Sequence, residues 1–208
     1  HLLELINDIL DLAKIEARKI ELASAPFDLP AVAQMVVSMV RMRAAQKNLV
    51  VREEYAPDLP RMVLGDETRL RQVLFNLLGN AIKFTERGEV TLRVERRFAP
   101  FGQAAIRFEV EDTGIGIPAD QIEKIFEPFY QAGAEKMKSQ GTGLGLTISK
   151  QIVRLMRGDI FVASADGQGS RFWFDLPLPE AAVAAASPAR LSEIIGYTCP
   201  SRHLLIVD

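Results

Sequence analysis

Two glycine-rich segments constrain this chain more than any other feature: D-T-G-I-G-I-P, Asp112 to Pro118, after a strand-forming run, and G-T-G-L-G-L, Gly141 to Leu146, before a helical one. Glycines after a strand let the backbone turn sharply and approach a flat ligand, and a carboxylate at the strand end can accept a hydrogen bond from an exocyclic amine. Asp112, Gly114, Gly116 and the adjoining Ile117 are therefore candidate binding residues. At a helix start, glycines expose backbone N–H groups with the helix dipole behind them, which makes a phosphate cradle. Gly141, Thr142, Gly143, Leu144, Gly145 and Leu146 are candidates for that role. Singly, each segment is ambiguous. D-T-G is also the signature of aspartic peptidases, which need two such aspartates to share a proton; with one D-T-G, this chain would have to dimerise to be one. The second segment lacks the G-K-[ST] of a phosphate loop, and its position between a loop and a helix disfavours a dinucleotide fingerprint.

Two further signals flank them. N-L-L-G-N-A-I-K-F-T places Asn76, Asn80 and Lys83 on one helix, and the spacing of four puts both amides on the same face. Such amides are either hydrogen-bonded within the core or functional, with Asn80 offering a carbonyl oxygen to Mg²⁺ and Lys83 a charge to phosphate. F-E-P-F, Phe126 to Phe129, is either a plain hydrophobic latch or the hinge of the unpatterned segment behind it, Gln131 to Gly141.

Apolar periodicity predicts helices over Leu2–Ile20, from Pro30 toward Lys47, from the N-cap Asp66 to Phe84, near Asp120–Ile125, and from Gly143 to Met156. Strands are predicted at Leu49–Tyr55 and in two hairpins, Val90–Phe98 with Ala105–Glu111 and Ile160–Ser164 with Arg171–Leu176. Helices mixed with antiparallel hairpins imply an α+β fold: a two-layer α/β sandwich, its mixed sheet covered by helices on one face. Residues 1–25 carry two adjoining apolar stripes, wider than one coiled-coil seam, which predicts a helix of a dimerisation four-helix bundle. Residues 26–179 form the main domain, the Ala-, Ser- and Pro-rich residues 180–202 a linker, and residues 203–208 a strand opening a further domain.

Composition narrows the class. With 25 Lys plus Arg against 27 Asp plus Glu, the chain has no global charge suited to nucleic acid. Its single cysteine, Cys199, excludes an internal disulfide and fits a reducing, cytoplasmic setting; two histidines leave little for a His-rich metal site.

In this order, the amide-bearing helix, strand-end Asp-Gly turn, aromatic hinge, unpatterned loop and glycine-rich helix start resemble the ATP-binding domain of sensor histidine kinases. That domain belongs to the superfamily that includes gyrase, the ATP-dependent heat-shock chaperones and the mismatch-repair ATPases. The resemblance runs from about Phe27 to Leu178 and takes in the closing D-G-Q-G-S-R-F-W-F-D-L-P-L. It implies that Asn80 is the Mg²⁺-binding amide, Asp112 the adenine-selecting carboxylate, Gly114 and Gly116 the turn beneath the base, and Gly141, Gly143 and Gly145 the phosphate-side glycines. Gln131 to Gln140 would be the lid, with Lys136 and Lys138 as its phosphate contacts, and Phe126 and Phe129 would border the nucleotide. Asn76 stands where hydrolytic relatives have a water-activating glutamate; an amide cannot take that proton efficiently, which favours transfer to a protein acceptor over hydrolysis.

The opening helix resembles the second helix of the family's phosphoacceptor hairpin, so the acceptor histidine would precede these residues and neither His1 nor His203 would serve. The ending R-H-L-L-I-V-D resembles the first strand of a receiver domain, with Asp208 opening its acidic site, which implies a hybrid kinase. The implied partners are ATP, Mg²⁺, a second subunit through the bundle helices, and a receiver domain or response regulator. A degenerate nucleotide sensor that binds without phosphotransfer is the alternative. Two departures stand out: Gln140 and Arg157 replace the first of the family's paired glycines before Gly141 and Gly158.

Overall fold

The computed structural model describes residues 2–17, 21–98, 104–131 and 142–181. Gly141, the lid residues Lys136, Lys138 and Gln140, Cys199, both histidines and Asp208 lie outside them.

Five strands form one mixed sheet in the order β2 (Val50–Tyr55), β4 (Glu89–Phe98), β5 (Ala104–Asp112), β7 (Ser170–Leu176), β6 (Ile160–Ser164). Only β2 and β4 run parallel; the other neighbours are antiparallel. In β5 the inward positions are Ile106, Phe108, Val110 and Asp112, while Arg107, Glu109 and Glu111 face the other way. The alternation that stacks Phe108 on Phe174 of β7 at 5.0 Å thus carries the Asp112 carboxylate under the helical layer. The sheet's other face bears charge, as an uncovered face must: Arg107 grips Asp175 at 2.7 and 2.8 Å, and Arg93 bridges Glu54, Glu109 and Glu111.

The covering layer consists of α2 (Leu29–Gln46), α3 (Glu67–Phe84) and α4 (Gly145–Leu155), burying Val36, Val40, Leu74, Leu78, Ile148 and Ile152 among others. Asp66 is the N-cap of α3, as predicted; its carboxylate accepts from the N–H of Arg69 and also of Ala23, both at 2.9 Å. Asp28 caps α2 with Pro30 in the first turn, so that helix begins at Leu29.

Helix α1 (Leu2–Glu16) lies against α4, with Ile15 buried and Leu12 partly so, and Asp11 accepts from Gln72 of α3 at 2.9 Å. Three apolar residues drawn from both stripes face outward: Ile6, Ile9 and Leu10 are 44%, 45% and 50% exposed. Among the described residues no helix is long and apolar enough to cross a membrane.

Three local features depart from the sequence reading. A second sheet pairs β1 (Ala25–Asp28) with β3 (Met62–Gly65), two strands that the sequence pattern did not predict. Four-residue strands are too short to show alternation, and proline is tolerated on such an edge. Pro179 and Ala181 continue this pairing, accepting from Leu64 at 2.8 Å and donating to Met62 at 2.9 Å. The helix expected over Asp120–Ile125 is two single 3₁₀ turns, Ala119–Gln121 and Lys124–Phe126, hemmed in by Pro118 and Pro128. Helix α4 starts at Gly145 rather than Gly143, because Gly143 has a φ of +73° and cannot be helical.

Candidate nucleotide site

The two amides of α3 meet as predicted and share one partner chain. Asn76 Nδ2 donates to Ser149 Oγ on α4 at 2.9 Å, which leaves Asn76 Oδ1 as an acceptor for Asn80 Nδ2 at 3.5 Å. With its nitrogen engaged there, the Asn80 carbonyl oxygen is the atom of this amide chemically able to bind a cation. Mg²⁺ takes few protein oxygens when phosphates and water complete its shell, so one amide oxygen fits this ion. Among the described residues no cluster of three or more His, Cys, Asp or Glu is arranged to hold a metal. One turn on, Lys83 lies over the Phe84 ring at 4.7 Å, and burial together with the nearby Lys47 charge lowers its pKa from 10.5.

Asp112 is 7% exposed. Burial pushes its carboxyl above the usual 3.8, opposed by hydrogen bonds from the N–H of Gly114 and of Ser170 and from the Thr85 hydroxyl, and reinforced by Glu111. The Gly114 bond measures 2.8 Å. The Thr85 hydroxyl lies between Ala81 O, at 2.7 Å, and Asp112, and so can donate to either. The turn that follows is stitched to three elements: Ile115 N donates to Phe84 O at 3.3 Å, Gly167 N to Ile115 O at 2.6 Å, and Ile117 N to Ser164 Oγ at 2.8 Å. Gly116 sits at φ +71°, and a Cβ there would run into the carbonyl of Ala165.

The aromatic pair splits. Phe126 packs against the core beneath Lys150, whose Nζ is 4.2 Å from the ring centroid, and its carbonyl accepts from Thr147 of α4 at 2.9 Å. Phe129 is 62% exposed at φ +63° and donates its N–H to Gly143 O at 3.1 Å. A Cβ on Gly143 would lie 2.8 Å from the Phe129 carbonyl carbon, so this glycine is where the backbone around Phe129 and the approach to α4 cross. Leu144 N donates to Thr142 Oγ1 at 3.2 Å; Leu144 itself is fully buried, and Leu146 packs against the core. The first N–H groups of any helix lack intrahelical acceptors, and those of α4 begin beside Asn76.

Asn76, Asn80, Lys83, Asp112 and the start of α4 are thus assembled around the C-terminal half of α3. Residues 65–180 match the family described as histidine kinase-, DNA gyrase B-, and HSP90-like ATPase. The chain belongs to that family. Within it, this ATPase domain is of the histidine kinase type, and the relatives it resembles include hybrid sensor kinases. The signal transduction histidine-protein kinase BarA of Escherichia coli is 41% identical over 179 residues, covering 86% of this chain and 20% of that protein. Hybrid signal transduction histidine kinase K of Dictyostelium discoideum is 42% identical over 188 residues, 86% of this chain and 16% of that one. The chain therefore spans about a fifth of the length of these relatives. A crystal structure of full-length ShkA in complex with AMPPNP superposes with a TM-score of 0.76 at 40% identity, over 87% of this chain and 36% of that one.

Several residues of this ATPase site escaped sequence reasoning. Ser149 lay in a helix read only for its apolar face, Thr85 ended one quoted motif and Ser170 stood inside another, both without a role. Each acts across a distance in sequence, as Asn76 to Ser149 does over 73 positions, so only the fold reveals it. Gly169, at φ +80° against the Asp112 backbone, carried the same kind of signal as Gly116 and could have been found by it.

Proposed function

We propose that this domain binds ATP with Mg²⁺ and delivers the γ-phosphoryl group to a histidine on a dimerisation hairpin of the intact kinase. The observation that carries this reading is the Ser149–Asn76–Asn80 ladder: position 76 holds a hydrogen-bonded amide where a hydrolytic enzyme needs a base. Asp112 accepts the adenine amine, the turn Gly114–Ile117 floors the base, Asn80 offers its Oδ1 to the metal, and Lys83 with the N–H groups at the start of α4 faces the phosphates. Bound Mg²⁺ would neutralise phosphate charge. The chain's own work is positioning and charge stabilisation, which suits a phosphoryl transfer with little covalent chemistry for the protein to perform.

Dimerisation through the outward-facing Ile6, Ile9 and Leu10, exchange with a receiver domain or response regulator, and a cytoplasmic location complete the proposal. The nucleotide-sensor alternative is not favoured, since the relatives at 41% and 42% identity are histidine kinases by name. In the full-length protein, incubation with γ-labelled ATP is expected to give acid-labile, base-stable phosphate on one histidine. ATP binding without such label would leave a sensor.

Asn80→Ala is expected to remove the Mg²⁺-dependent increment of nucleotide binding, about tenfold or more, while affinity in EDTA stays within about threefold. Titrating AMPPNP with and without Mg²⁺ checks it; an unchanged Mg²⁺ increment would remove Asn80 from the metal.

A further inference from the structure

Lys47 lies outside every motif. It is the C-cap of α2, and its side chain crosses to the end of α3, where Nζ donates to Ile82 O at 2.8 Å, Lys83 O at 2.8 Å and Thr85 O at 3.3 Å. An ammonium has three protons, and three carbonyls receive them. The last four carbonyls of a helix have no intrahelical acceptor role to fill, and their partners in α3 can be traced in full. Ala81 O takes the N–H and hydroxyl of Thr85, Ile82 O and Lys83 O take Lys47, and Phe84 O takes the N–H of Ile115.

That accounting links the helix end to the adenine side of the site. Phe84 O holds the turn after Asp112, and Thr85 reaches the Asp112 carboxylate. Lys83 is the cation facing phosphate. All three depend on where the last turn of α3 stops, and a side chain from another helix sets that point. We infer that Lys47 is a positioning residue of the nucleotide site, fixing the end of α3 so that Lys83, Thr85 and the Asp112 turn keep one geometry.

The choice of a lysine has a cost that argues for function. A second ammonium near Lys83 disfavours the Lys83 charge, whose pKa falls through burial first and through this repulsion second. The negative end of the α3 dipole compensates, and the paired cations make this end of the helix attractive to a polyanion. A neutral donor could have capped the same carbonyls without that repulsion. Lys47 is itself exposed, so solvent can take over the capping in a variant, and stability should depend on it only modestly.

The inference rests on the proposed nucleotide site, and the experiment separates the two. AMPPNP binding and thermal unfolding are measured for the unsubstituted chain, Lys47→Met and Lys47→Arg. The expected result is a loss of about tenfold or more in AMPPNP affinity for Lys47→Met, since small misplacements of positioning groups have large effects. Its Tm should fall by no more than about 4 °C, the shift that about 1 kcal/mol produces in a domain of this size. Lys47→Arg, which keeps the charge and the donors, should bind within about threefold of the original. Lys47→Met binding as tightly as the original would overturn the inference, as would Lys47→Arg binding no better than Lys47→Met. An affinity loss matched by a fall in folded fraction would reduce Lys47 to a structural cap. Failure of the unsubstituted chain to bind AMPPNP would instead sink the nucleotide site itself.

Discussion

Asp112→Asn is expected to weaken ATP binding by about 2–3 kcal/mol, on the order of 30- to 150-fold, without loss of stability. The amide oxygen of the variant will turn toward the N–H groups of Gly114 and Ser170, which need an acceptor, while the Thr85 hydroxyl keeps Ala81 O. Its NH₂ then faces the adenine amine, donor against donor. Stability should hold or rise: a carboxyl whose folded pKa is raised adds stability only below its unfolded value and loses it as pH rises through the folded one. At neutral pH the ionised Asp112 is therefore a cost, mainly of burial, that asparagine does not carry.

The same shift predicts a pH signature. As pH falls, Asp112 should protonate above the ordinary 3.8 and the original protein should lose affinity there, while Asp112→Asn shows no such limb. Nucleotide phosphates titrate identically in both, so the difference isolates the carboxyl. Calorimetric titration of AMPPNP across pH, with thermal melts of each protein, provides the measurement. Equal affinities at neutral pH would contradict the adenine assignment.

Gly116→Ala should produce the larger structural damage. A left-handed φ of +71° costs an alanine about 1–2 kcal/mol, and its Cβ would also strike the backbone carbonyl of Ala165, which cannot rotate aside. Together these should destabilise the domain by about 3 kcal/mol or more, a fall in Tm of about 6–12 °C, with nucleotide binding lost as the turn moves. Gly79→Ala is the matched control: it lies in α3 with nothing within 4 Å of the added carbon, so helix propensity should make it neutral or slightly stabilising. A Gly116→Ala melt indistinguishable from that of Gly79→Ala would show that the turn can relax.

Local pattern made much of this molecule legible. The apolar periodicity of α2, α3 and α4, the Asp66 cap and the two hairpins are written in adjacent residues, and each stands close to where periodicity placed it. The pairing of β1 with β3 was not, because Phe27 and Val63 meet only after 35 intervening residues have folded between them. The site divides along the same line. Asn76, Asn80 and Asp112 announce themselves as polar groups where apolar ones would serve. Lys47 and Ser149 look like ordinary helix residues, and their roles arise from groups that the topology brings to them. The split of the aromatic pair has a backbone origin: a left-handed Phe129 directs its ring outward while its N–H ties down Gly143.

The contact between Asn76 and the start of α4 bears on how this site could change over generations. A Cβ on Gly145 would already collide with Asn76 Oδ1, so the space beside position 76 is filled by backbone. A glutamate there, one methylene longer, would lose the acceptor on Ser149 and press against that backbone. Placing a hydrolytic base there would thus require α4 to move as well. On the proposed kinase reading, a substitution at position 76 alone is therefore expected to leave this site a poor hydrolase.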